Sequence, residues 1–227
     1  MKRSVLWGVV AACGLAGCGP SINAQSKAVV DQWKAGLTSG NQVHAKVGFV
    51  RPELEEGQWA EFLEIDDKGQ PAQVLYKVVG KEGDAVWLET ERTSYYERSV
   101  TKLLLEVSDW TAPEGLKVHR VISKRNDEPA AEMPPLVINM MANPILSGFQ
   151  FRVEDGPAED VSVPAGTFEG AVRVSSEVKT PFGNFRAITW AHGAVPIAGY
   201  VKSENEENTY SAELTAFGLS GAKSALE

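Results

Sequence analysis

The stretch Ala72-Gln73-Val74-Leu75-Tyr76-Lys77-Val78-Val79, Gly80-Lys81-Glu82-Gly83-Asp84, Ala85-Val86-Trp87-Leu88-Glu89-Thr90-Glu91-Arg92-Thr93 decides the fold. Its two outer blocks are rich in β-branched and aromatic side chains and carry the period of two that a pleated strand imposes. The central block holds two glycines and an aspartate and reads as a hairpin loop. The same signals repeat on both sides. Upstream, Trp59, Glu61, Leu63 and Ile65 alternate with Ala60, Phe62 and Glu64, and Asp66-Asp67-Lys68-Gly69 forms a turn. Downstream, Glu97 to Ser108 supplies another strand, Asp109 to Gly115 breaks it with Pro113 and Gly115, and Leu116 to Ser123 alternates again. Successive strands joined by short turns make an antiparallel meander.

Further out, Val29, Val30, Trp33 and Leu37 recur at helical spacing. Asn23 or Ser26 is a candidate cap, and Gly40 is the expected stop. Lys124 to Ala131 is charged and ends the first strand group. In the apolar segment from Met133 to Leu146, Pro134 and Pro135 suit the first turn of a short helix, and Pro144 ends or kinks it. A second strand group runs from about Val161. It contains Gly170 to Thr180, Phe185 to Ala191, Gly199 to Asn205 and Asn208 to Phe217. The polar tail from Gly218 is expected to fray. The organisation is thus one β-rich domain over 26–218 with a flexible tail at 219–227.

The start of the chain reads differently. Lys2 and Arg3 precede an uncharged run from Ser4 to Gly17. Spanning a bilayer takes roughly 20 apolar residues, so this run is too short, whereas a secretory core of about 7–15 residues fits. The run ends in Leu15-Ala16-Gly17-Cys18, which resembles the lipobox of bacterial lipoproteins. The resemblance implies a signal peptide over 1–17, recognition through Leu15, Ala16 and Gly17, and acylation of Cys18 with a diacylglyceryl group and a further acyl chain such as palmitate. A short tether over 18–25 would follow. Gly19 stands where an Asp commonly retains Gram-negative lipoproteins in the inner membrane, so the implied location is the cell envelope, at the outer membrane facing the periplasm.

The chain carries 22 basic and 30 acidic residues. That balance argues against nucleic acid as a partner and against electrostatic adhesion to anionic lipid. Its two cysteines are Cys13, inside the signal run, and Cys18. A processed domain would have no free thiol, which excludes thiol catalysis and Cys-ligated metals. His44, His119 and His192 form no metal-binding spacing, and no phosphate-binding, dinucleotide or serine-hydrolase motif is present. The clusters Glu53/Glu55/Glu56 and Glu204/Glu206/Glu207 lie in turn-like contexts and read as solvated loops rather than a glycosidase pair. No cofactor, metal or enzymatic activity is expected.

Val163-Pro164-Ala165-Gly166-Thr167-Phe168, together with Val195 to Glu204, is similar to stretches of periplasmic proteins with a LolA-like half-barrel. A local reading explains the first stretch equally: Pro164 and Gly166 turn the chain and Phe168 anchors the next strand. The resemblance implies a curved antiparallel sheet, an N-terminal helix, a short mid-chain helix and an apolar concavity. Another β-barrel or a sandwich is the alternative architecture. The expected ligand is a lipid or other hydrophobic molecule, in a pocket lined by Leu136, Met140, Met141, Phe149 and Trp190. Met suits an adaptable pocket, while Trp59, Trp87 and Trp190 suit either a cavity wall or a plain core. The rival expectation is a structural or protein-interaction role at the envelope with no small-molecule ligand; a hydrolase without a readable motif is the third.

Overall fold

The structure, a computed structural model, describes residues 21–37, 43–44, 49–110, 112–138, 153, 156–180, 183–207 and 209–226. Helix α1 covers Ala24–Ala35. Among the described residues twelve strands follow: β1 Val43–His44, β2 Trp59–Ile65, β3 Pro71–Glu82, β4 Ala85–Ser94, β5 Arg98–Val107, β6 Leu116–Arg125, β7 Ala131–Glu132, β8 Ala158–Val163, β9 Gly166–Thr180, β10 Gly183–Ala191, β11 Tyr200–Asn205 and β12 Ser211–Gly218. Residues 135–138 are helical, and a 3-10 turn covers Pro113–Gly115. The protein is therefore mostly β.

All twelve strands belong to one sheet, in the order β1-β9-β10-β11-β12-β2-β3-β4-β5-β6-β7, with β8 pairing β9 beside this path. Every pairing is antiparallel except the short parallel contact of β1 with β9. The sheet is open, as a curved half-barrel requires. Two meanders, β2 to β7 and β8 to β12, are joined where β12 pairs β2, with Leu214 opposite Phe62.

Local chemistry explains the element ends. The Asn23 side chain accepts hydrogen bonds from the main-chain N–H groups of Gln25 and Ser26, both at 3.0 Å, and so caps α1. The helix stops at Gly36, one turn before the expected Gly40. In the β2–β3 turn the Asp66 carboxylate accepts from the N–H of Lys68 at 2.9 Å and of Gln70 at 2.7 Å, while Gly69 takes φ 70°. The β3–β4 hairpin is tighter than the loop predicted over Gly80–Asp84. Only Gly83 and Asp84 lie between the strands, and the register shifts between Val78 and Gly80. Gly80 thus marks a bulge within β3, a second use of glycine that local composition does not separate from a loop.

The core lies on one face. Phe62, Phe168, Leu214, Ala60 and Ala212 are at most 1 % exposed and form its largest cluster. The loop between β10 and β11 packs into it through Val195, Ile197 and Ala198. Ile197 sits at φ 62°, unfavourable for a β-branched side chain, and is held there by burial beside Val78, Leu88 and Leu105. Around Phe62 stand Tyr76 at 5.8 Å and Tyr200 at 4.9 Å between ring centroids. The turn at 135–138 contributes Ile138 to a smaller cluster with Leu103 and Val121.

The tail departs from the expectation of fraying. Ala222 donates its N–H to the Gly57 carbonyl at 2.9 Å, and the Trp59 indole donates to the Ser220 carbonyl at 3.2 Å. Gly218 lets the tail leave β12 beneath that indole, since a Cβ there would lie 2.5 Å from Trp59 Nε1.

Candidate ligand-binding cleft beneath the N-terminal helix

Strand register arranges the second face of the sheet in transverse rows. Leu75, Glu91, Val100 and Lys124 stand in line across β3, β4, β5 and β6. Gln73, Thr93 and Arg98 form the neighbouring row on one side, and Lys77, Glu89 and Lys102 the row on the other. Alternate residues of a strand share a face, so these three rows form one continuous surface.

Helix α1 crosses this surface on a narrow base. Val30 is fully buried and Ser26 nearly so, whereas Val29 is 47 % exposed. Polar contacts supply the rest. The Asn23 N–H donates to the Tyr95 carbonyl at 2.8 Å, Asp31 takes the Tyr95 hydroxyl, and the Lys27 ammonium lies 4.5 Å above the Tyr95 ring. At the other end the Trp33 indole donates to Glu61 at 3.1 Å. Glu61 also accepts from Gln73 at 2.6 Å and from the Thr215 hydroxyl at 2.9 Å, and so ties the helix to β2, β3 and β12.

The tail covers the third row. Lys77 is 4 % exposed and Glu89 not at all. The Lys77 ammonium lies 2.5 Å from both Glu89 and Glu91 and donates to the Lys223 carbonyl at 2.7 Å. Glu89 also accepts from the Ser224 hydroxyl at 2.7 Å and the Ala225 N–H at 2.9 Å. The two buried charges are thus paired and hydrogen-bonded, as burial demands. Burial pushes the Glu91 carboxyl up, but hydrogen bonds from Lys77 and Arg98 outweigh it and hold Glu91 below its ordinary value.

Between α1, the rows and the end of the tail lies a cleft of about 440 Å³, within the roughly 300–1,000 Å³ of small-molecule sites. Leu75, Val100, Val29 and Ala225 give it an apolar strip; Glu91, Arg98, Lys124 and Asp127 give it charge. A more open recess of about 690 Å³ lies on the far flank of α1, beside Trp33 and Glu61. The arrangement can hold a molecule with an apolar part and a polar end. Among the described residues no group of His, Cys, Asp or Glu is placed to hold a metal ion, and no helix is long and apolar enough to cross a membrane.

The residues singled out in the sequence fall elsewhere. Leu15, Ala16, Gly17 and Cys18 lie outside the described residues, as do Met140, Met141 and Phe149. Leu136 is 73 % exposed, because the turn at 135–138 directs Ile138 inward instead. Trp190 is 9 % exposed, with Lys202 at 5.2 Å and Arg173 at 5.8 Å from its ring and its indole donating to Glu159. Neither Leu136 nor Trp190 lines the cleft. His44 belongs to β1. His119 meets Glu106 at 2.7 Å across the β5–β6 pair. His192 is fully buried, edge-on to Phe168 at 5.2 Å, with its Nδ1 accepting from the Ala194 N–H at 3.2 Å. Glu204 and Glu206 pair with Lys202 at 3.3 Å and Arg186 at 3.2 Å. The cleft residues Val29, Arg98 and Lys124 carry no motif. The available signal is the alternation that puts Leu75, Glu91 and Val100 on the face opposite Val74, Leu88 and Leu103.

No protein-family model matches the chain, and no curated protein matches it. One solved structure is similar: a Parabacteroides distasonis protein provisionally described as a lipoprotein. It is 13 % identical over 72 % of this chain and 96 % of its own, with a TM-score of 0.30, which is too low to carry an inference about this chain.

Proposed function

We propose that this protein is a non-enzymatic lipoprotein of the bacterial cell envelope, anchored by lipid on Cys18 at the outer membrane and facing the periplasm, whose β domain binds a hydrophobic or amphiphilic molecule in the cleft beneath α1. The observation that carries the binding role is the cleft itself, with an apolar strip and a charged end on the sheet face opposite the core. The core face is filled by the chain's own Phe62, Phe168, Leu214, Val195 and Ile197, which moves the expected ligand away from a pocket lined by Leu136 and Trp190.

The short tether supports the same reading. Five residues, Gly19 to Asn23, separate Cys18 from α1. An extended chain covers about 3.3–3.6 Å per residue, so lipid on Cys18 would keep Asn23, at the cleft mouth, within roughly 20 Å of the bilayer. A ligand drawn from the membrane would have a short path. Acylation is the anchor because each buried methylene contributes about 0.8 kcal/mol and two or more chains make attachment stable.

Two measurements test the proposal. Cys18→Ser should move the protein from the membrane fraction to the soluble fraction; an unchanged distribution refutes the anchor. Native mass spectrometry of the Cys18→Ser chain should show a reproducible co-purifying hydrophobic molecule. A protein that is always empty, and that takes up no added amphiphile, refutes the binding role and favours interaction with another envelope protein.

A further inference from the structure

We infer that the cleft selects a single-chain amphiphile with an anionic head, whose head meets the Lys124 ammonium and whose chain lies along Val100, Leu75 and Val29. This inference rests on reading the cleft as a ligand site.

Four charged side chains line the cleft: Arg98, Lys124, Glu91 and Asp127. Arg98 and Glu91 satisfy each other at 2.9 Å, and Glu91 takes a second cation in Lys77. Asp127 stands in the exposed turn after β6, where water solvates it, and forms no ion pair with Lys124. Lys124 therefore takes part in no ion pair among the described residues, and it is half-buried beside Val100, its cross-strand neighbour. A partly desolvated ammonium next to an apolar strip gains most from an anion that brings its own apolar body. An uncharged head leaves Lys124 unpaired. A cationic head meets Lys124 with like charge, and with Glu91 already paired it gains only the exposed, well-solvated Asp127. The row order places this charge at the β6 end of the floor, so the chain runs from the head toward β3.

The probes are dodecanoate, dodecyl phosphate, dodecanol and dodecyltrimethylammonium, each below its micelle concentration, titrated calorimetrically into the full chain carrying Cys18→Ser. Both anions should bind about 10-fold or more tighter than dodecanol, the scale of one charge-assisted hydrogen bond. The cation should bind weakest. The tighter anion identifies the head as carboxylate or phosphate. Lys124→Gln should bring the anions to within about 2-fold of dodecanol measured on the same variant, the residue of long-range charge alone; Lys124→Arg should keep the preference. Equal affinity for anions and alcohol in the parent chain, or a preference that survives Lys124→Gln, overturns the inference while leaving the cleft a ligand site. Failure of all four probes to bind overturns the ligand-site reading itself.

Discussion

The Lys77 ammonium donates to the main-chain carbonyl of Lys223 at 2.7 Å, joining β3 to the tail across 146 positions of sequence. Because Lys77 also pairs with Glu89 and Glu91, the tail closes over a buried charge cluster and completes one wall of the cleft. Tail, cluster and cleft are consequently one structural unit.

Breaking that cluster from one side should be costly. Lys77→Met leaves Glu89 fully buried without its cation, and loss of one partner of a buried pair costs about 3–5 kcal/mol. Replacing both, as Lys77→Met with Glu89→Met, should recover most of the loss, since a well-packed apolar pair substitutes for a buried ion pair with little penalty. Urea unfolding of the two single variants and the double variant measures this; strictly additive losses would contradict it.

The same cluster sets an acid limit. Glu91 is held below its ordinary value of 4.5 by Lys77 and Arg98 against the opposing pull of burial. A carboxyl depressed in the folded state stabilises above its unfolded value, and that contribution is lost as pH falls through the folded value. Stability should therefore decline below about pH 4.5, by up to about 1.4 kcal/mol per pH unit for this one proton. Glu91→Gln should flatten the decline over that window. An acid limb identical to that of the parent protein would remove Glu91 from the account.

At high pH the tyrosines around Phe62 take over. Burial pushes Tyr76, Tyr200 and Tyr210 upward, and Glu64, which accepts from the Tyr210 hydroxyl at 3.1 Å, adds to the shift. A phenol raised in the folded state contributes stability fully below its ordinary value of 10.0 and loses it as pH climbs above that value toward the folded one. Of the chain's five tyrosines, these three should ionise only as the sheet opens. Ultraviolet titration alongside circular dichroism would show tyrosinate appearing together with unfolding; five phenols titrating in a native sheet would contradict the burial.

Much of this architecture was legible because it is local. Alternation from Trp59 to Ser123 places the first meander, and Asp66, Gly69 and Gly83 mark its turns through their own backbone chemistry. Phe168 is an anchor for the reason its context suggests: Pro164 and Ala165 reverse the chain, Gly166 takes φ 136° and the next inward residue is fully buried. The β12–β2 pair and the tail contacts were not legible. Their partners lie far apart in sequence, and the groups that join the tail to Lys77 and Glu89 include a carbonyl and an N–H that every residue possesses. The cleft was hidden for a related reason. It depends on register among four strands and on where α1 lies across them, and Arg98 and Lys124 look individually like ordinary surface cations.

The anchoring role of Phe168 has a direct test. Phe168→Ala should cost about 3–5 kcal/mol, as removal of a fully buried aromatic ring does in a close-packed core. Phe168→Leu should cost much less, because most of the volume is retained. A loss under about 1 kcal/mol for the alanine variant, on the scale of a surface substitution, would mean that the strand is held by its hydrogen bonds alone.

Helix α1 separates the cleft from the core in an experiment on two adjacent residues. Val29 faces the cleft at 47 % exposure, and Val30 is the fully buried contact that seats the helix. Val29→Trp should fill the cleft and abolish dodecanoate binding while changing stability by no more than about 0.5 kcal/mol, as for a surface position. Val30→Asp places a carboxylate in an apolar seat and should release the helix, since a buried unpaired charge costs more than the few polar contacts of Tyr95 and Glu61 restore. Trypsin should then cut after Lys27 and Lys34 well before it reaches the strands, and circular dichroism should retain the β signal. Binding that survives Val29→Trp would move the ligand to another part of the sheet, and a Val30→Asp chain that loses its strands together with α1 would show that the helix belongs to the core rather than resting on the far face.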